Sequence, residues 1–187
     1  MARSSSNKKL AGKQALSGKK RRKVRLDGCS FTLKDLAAIA AGEATLRLTR
    51  PARQRIEAAS RTVIKAAAST EPSYGINTGF GRFCRVQIEP AEVEKLQLNL
   101  IRSHATGIGA PLEAAQVRLA LALRANALAR GNSGIHLEVI ELLMEMLEKD
   151  VLPKIPRMGS VGASGDLAPL SHLALVLVGE GEALVGG

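Results

Sequence analysis

Residues 111–131, PLEAAQVRLALALRANALARG, constrain the fold most. Read as a helix, the segment is alanine and leucine on nearly every side. Its arginines, Arg118, Arg124 and Arg130, are spaced by six and so point three ways. A helix apolar all round is one enclosed by other helices, and the chain offers several. FTLKDLAAIAAG begins with Thr32 and Asp35 at capping-box spacing and stops at Gly42. LTRPARQRIEAASRTVIKAAAS has Thr49 as N-cap and Pro51 in its first turn, where a missing N–H is harmless. EPAEVEKLQLNLIRSHATG predicts a helix from Pro90 to about His104. In HLEVIELLMEMLEKD, Glu138, Glu141, Glu145 and Glu148 form one polar stripe opposite Leu, Ile and Met. Paired acid–base carboxylates are conceivable there, but so regular a stripe reads as a solvated face. No run alternates convincingly with period two, and there are no internal repeats. The expected fold class is all-α.

The formal charge of +10 suggests nucleic acid until it is located. Residues 1–25 hold ten Lys or Arg and no acid, while the rest is balanced at seventeen of each sign. The basicity therefore belongs to a Ser-, Gly- and Lys-rich tail, residues 1–25, expected to be disordered. Residues 26–187 form the folded part. The run Lys19-Lys20-Arg21-Arg22-Lys23 resembles an import signal or polyanion patch, against the plainer reading of a solvated extension. Aromatic residues make up only 2%, which argues against a base-stacking module, so a nucleic-acid partner is not expected. No apolar stretch follows the basic start as a secretory signal requires, and none approaches the roughly 20 residues of a membrane span. Cys29 and Cys84 lack the spacing of a zinc site or a disulfide framework. No metal and no membrane partner are expected, and a cytoplasmic setting is.

Two segments break the helical pattern, SYGINTGFGRF (73–83) and GSVGASGDLAPL (159–170). The second lacks the Lys and the preceding strand of a P-loop. It also lacks the βαβ unit of a dinucleotide site, and it has Asp166 where a G-x-S-x-G elbow needs Gly. A fourth reading is a backbone that reacts with itself. The Gly165 nitrogen attacks the Ala163 carbonyl to close a five-membered ring. Glycine permits that compression, a small Ala163 avoids crowding, and Ser164 carries a leaving group on Cβ. Loss of two waters leaves an exocyclic methylene on an imidazolone, a strong electrophile that no standard side chain provides. Asp166 is placed to cap the following helix, and Pro169 is tolerated in its first turn. That helix N-terminus favours negative charge developing beside the ring.

Four segments together carry a resemblance: GSVGASGDLAPLSHLALVLVGEGEA, SYGINTGFGRF, LQLNLIRSHATGIGAP and LRANALARGNSGIH. In this order, across roughly residues 30–187, they are similar to segments of the aromatic amino acid ammonia-lyases. The resemblance implies that Ala163, Ser164 and Gly165 form 4-methylideneimidazol-5-one with no external cofactor. It implies that Tyr74, the chain's sole tyrosine, is the base that takes a β-proton. Free tyrosine has a pKa near 10, so such a site must lower it. Gly75, Gly79 and Gly81 would let the backbone approach the substrate.

Ser103-His104 matches the pair in members acting on histidine. An imidazole there would hydrogen-bond the substrate ring and reject apolar analogues; the alternative is a histidine capping a helix C-terminus. His136 and His172 read as structural. The implied reaction eliminates ammonia from L-histidine to give trans-urocanate. The alternatives are a phenylalanine or tyrosine lyase, an aminomutase, or a non-catalytic fragment binding polyanions through its tail. The family chain runs further and assembles as a homotetramer with shared sites. The expectation is therefore an N-terminal part, without the core helix bundle and inactive alone.

Overall fold

The structure is a computed structural model that describes residues 21–186. Most of the basic tail, including Lys19 and Lys20, lies outside the described residues. The helices are α1 (Leu33–Ala40), α2 (Arg50–Ala67), α3 (Pro90–His104), α4 (Ala114–Leu128), α5 (Leu137–Glu148) and α6 (Leu167–Leu177). The strands are β1 (Arg22–Leu26), β2 (Ala44–Leu48), β3 (Ile108–Pro111), β4 (Val151–Pro153), β5 (Pro156–Met158) and β6 (Ala183–Val185).

The expected all-α class holds only in part. Three two-stranded sheets accompany the helices among the described residues: β1 with β2, β3 with β5, and β4 with β6. Strands of three to five residues turn too few side chains inward for alternation to register in sequence. β1 shows this best. Its RKVRL buries only Val24 and Leu26, and Arg22, Lys23 and Arg25 stay outside. Residues 22–25, read from the sequence as part of the tail, lie in β1. Arg21 Nη1 donates to the Glu148 carbonyl at 2.9 Å, and Arg22 Nε donates to Asp35 Oδ1 at 2.8 Å.

β1 and β2 run parallel, and α1 is the crossover between them. The capping box that starts α1 forms as its spacing predicts. Thr32 Oγ1 accepts the Asp35 N–H at 3.2 Å, and Asp35 Oδ2 accepts the Thr32 N–H at 3.0 Å and its hydroxyl at 2.6 Å. The Thr32 hydroxyl first, then its N–H and Arg22, hold the Asp35 carboxyl at about 2, below its ordinary 3.8. α2 begins on Thr49, whose Oγ1 accepts the Ala52 N–H at 3.4 Å.

α4 lies at the centre. It buries Val117, Leu121, Ala122, Ala125 and Leu128 against Ile140, Leu143 and Met146 of α5 and Ile39 of α1. Its enclosure is one-sided, because Leu123 is 47% exposed. The three arginines part ways as their spacing requires. Arg118 turns inward, donating from Nε and Nη2 to Asp150 at 2.8 and 2.9 Å and from Nη1 to the Ala40 carbonyl at 3.2 Å. That bond to Asp150 raises the Arg118 pKa further. Arg124 and Arg130 are exposed. On α5 all four glutamates of the stripe are exposed, two of them paired with Arg53 and Lys149.

Candidate active site

The Ala163-Ser164-Gly165 loop is delivered by a short antiparallel pair. β5 leads into it, β3 pairs with β5 at Ile108↔Met158 and Pro111↔Pro156, and α6 leads away. Because β3 follows α3 directly, this pairing draws the α3 C-terminus, with Ser103 and His104, toward the loop's root. The join is tight. The Gly107 N–H donates to His172 Nε2 of α6 at 2.9 Å, and a Cβ on Gly159 would lie 2.8 Å from the Gly107 Cα. Burial lowers the His172 pKa, which favours the neutral ring that an accepting Nε2 requires.

Residues 162–164 form a turn, with Gly162 at φ +83° and Gly165 at φ +71°. Gly165 occupies backbone space that suits glycine, and a Cβ there would meet Ser160 Oγ at 2.8 Å. The Ser160 hydroxyl donates to the Gly165 carbonyl. Ala163 and Ser164 are exposed, so nothing covers the Ser164 Cβ–Oγ bond. These residues fit the imidazolone: a turn folds the tripeptide back, the middle side chain is exposed, and the third residue is a glycine in the left-handed region. One expectation fails here. Asp166 occupies the N-cap position of α6 but makes no side-chain capping bond, because its own backbone is in the right-handed region rather than extended.

Tyr74 lies in the turn that follows α2. Its ring is 66% exposed and meets Phe80 edge-on, with centroids 5.9 Å apart and planes at 73°. The loop is attached to α3 by Gln97 Nε2, which donates to the Gly75 carbonyl at 3.3 Å. Gln97 and His104 are seven residues apart on α3 and so share a face, about 10 Å apart along the axis.

His104 is half-buried, and its Nδ1 lies 2.8 Å from the Leu100 carbonyl and 3.1 Å from Ser103 Oγ. A carbonyl only accepts, so Nδ1 carries a proton, which leaves Nε2 as the nitrogen turned away from the helix. The helix-capping and substrate-facing readings of His104 are therefore compatible. The Ser103 hydroxyl donates to the same Leu100 carbonyl at 3.0 Å, so it is turned back onto its own helix.

Sequence reasoning passed over Asn77, which is 3% exposed at the centre of the Tyr74 loop. Its position within SYGINTGFGRF was the one available signal. Tyr74, Ser103, Ala163 and Ser164 lie on open surface, and His104 and Gly165 are half-buried. A cleft of about 290 Å³ beside the β3–β5 pair is lined by Gly109, Pro156, His172 and Glu180, and takes neither Tyr74 nor Ser164 into its wall.

This chain belongs to the aromatic amino acid lyase family, whose pattern it matches over residues 31–187. It is 48% identical over 167 residues to the histidine ammonia-lyase of Myxococcus xanthus, covering 89% of this chain and 33% of that protein. The crystal structure of histidine ammonia-lyase from Trypanosoma cruzi superposes with a TM-score of 0.79 at 42% identity, over 88% of this chain and 32% of that one. Tyrosine aminomutase from Streptomyces globisporus superposes with a TM-score of 0.80 at 33% identity, over 88% of this chain and 31% of that one. The chain spans about a third of the length of the curated relatives it matches.

Proposed function

We propose that this chain supplies the electrophile and the base of a carbon–nitrogen lyase that eliminates ammonia from L-histidine to give trans-urocanate. The observation that carries the reading is the Ala163-Ser164-Gly165 turn, with its left-handed glycine and open serine, in a chain of this family. Once formed from these residues, 4-methylideneimidazol-5-one supplies an electrophilic methylidene that turns an amine into a leaving group. The protein's own groups do the rest. The Tyr74 phenolate removes the β-proton. His104, through Nε2, forms a hydrogen bond with the substrate imidazole that a phenyl ring cannot offer. Ser103 steadies the arrangement by sharing the Leu100 carbonyl that orients His104.

The exposure of Tyr74 and Ser164 supports a pocket that other surfaces complete and close to water. The proposed whole protein is a homo-oligomer, and the 187-residue polypeptide alone is expected to be inactive. An aminomutase is the second reading, favoured by the likeness to the tyrosine aminomutase. Intact mass tests the electrophile: a deficit of two waters, absent in Ser164→Ala, supports it, and the mass of the plain translation product overturns it. Urocanate absorbance with the whole protein tests the reaction, and formation of a β-amino acid from the same substrate would select the aminomutase.

A further inference from the structure

We infer that Asn77 is the positioning residue for Tyr74, a side-chain clamp that fixes the base's loop to the end of α2. This rests on the proposed role of Tyr74. The Asn77 Oδ1 accepts the Ser73 N–H at 2.7 Å, one residue before the tyrosine. Its Nδ2 donates toward three carbonyls, Ala66 at 3.2 Å, Ser69 at 3.0 Å and Glu71 at 2.9 Å. An amide has two N–H groups, so one of these contacts is shared. Ala66 is in the last turn of α2, and its carbonyl also accepts the Ser69 N–H at 3.1 Å. One side chain therefore closes the helix end, the 69–71 linker and the start of the tyrosine turn into a single unit.

The main chain of Asn77 adds to this. Its N–H donates to the Ser73 carbonyl at 3.2 Å, and its carbonyl accepts the Ile88 N–H at 2.9 Å. The neighbouring Thr78 is 1% exposed and accepts the Gly75 N–H at 3.4 Å through Oγ1. Tyr74 itself has little to hold it, with an exposed ring and one edge-on neighbour. Its backbone direction is therefore set by residues 73 and 77 and not by packing of the phenol. Proton abstraction needs the phenolate oxygen within hydrogen-bond reach of the β-carbon's proton, and displacement of about 1 Å can cost on the order of a hundredfold. Losing the clamp should thus act on the chemical step more than on binding.

The sequence supplies its own probe, because the chain has one tyrosine and no tryptophan. Tyrosine fluorescence anisotropy of the 187-residue chain reports on Tyr74 alone, as does the tyrosine band of its near-ultraviolet circular dichroism, which lies at longer wavelength than the bands of the three phenylalanines. In Asn77→Ala, anisotropy should fall and the dichroism band should collapse, while far-ultraviolet dichroism and the two-water mass deficit at residues 163–165 persist. In the whole protein kcat should drop at least about tenfold with KM within about twofold. If Asn77→Ala does not fold, Asn77→Asp keeps the acceptor for Ser73 and loses the donors, and the same readouts apply. A folded variant with unchanged anisotropy and unchanged kcat overturns the clamp. If the unsubstituted whole protein shows no turnover, the lyase reading fails instead, and the anisotropy comparison still decides whether Asn77 holds the loop.

Discussion

The Gly107 N–H and His172 Nε2, 2.9 Å apart, join the segment after α3 to the helix that follows the Ala163-Ser164-Gly165 loop. The bond needs a neutral ring, and burial lowers the His172 pKa below its ordinary 6.5. A depressed histidine contributes stability that is whole above 6.5 and is lost as pH falls through the lower folded value. The melting temperature should therefore decline on acidification below 6.5. His172→Gln, which keeps an acceptor without the titration, should flatten that part of the profile in a thermal-melt series.

The capping box titrates in a separate window. Asp35 sits at about 2 when folded, below its ordinary 3.8, so its contribution is present above 3.8 and disappears as pH falls toward 2. Asp35→Asn should remove this acid step in a dichroism-monitored acid titration. Thr32→Ala should cost about 1 kcal/mol near neutral pH, as loss of a helix N-cap does.

Arg118 and Asp150 join α4 to the turn after α5, and their side chains are 14% and 7% exposed. Removing Arg118 takes two guanidinium hydrogen bonds, at 2.8 and 2.9 Å, from the buried Asp150 carboxylate. Arg118→Ala should destabilise by about 3 kcal/mol, measured by urea unfolding.

Gly165→Ala asks a side chain to adopt φ +71° and to sit 2.8 Å from Ser160 Oγ. The variant should lose about 1 kcal/mol or more of stability. It should also keep the mass of the unmodified chain, read by intact mass spectrometry.

In the whole protein, His104→Leu removes the ring that would hydrogen-bond a substrate imidazole. Activity on histidine should fall at least about a hundredfold, with activity on phenylalanine preserved or raised. Competition between the two amino acids checks this, and an unchanged preference would remove His104 from specificity.

The sequence by itself determined the helices and the break in helical pattern at the Ala163-Ser164-Gly165 turn. Capping residues and 3.6-residue periodicity act over one or two turns. Thr32 and Asp35, Thr49 and Pro51, and the glutamate stripe of α5 therefore read directly from neighbours in the chain. What tertiary structure decided depends on residues far apart in sequence. β1 was hidden in the basic tail because its pairing with β2, not its composition, makes RKVRL a strand. Arg118 looked like its two sister arginines until Asp150, 32 residues away, drew it inward. Asp166 stood where a cap belongs, yet its backbone turned its carboxylate from the task. Asn77 looked like an ordinary loop asparagine, and it acquires a role only when folding brings the carbonyls at the end of α2 within reach of its amide, which no local pattern records.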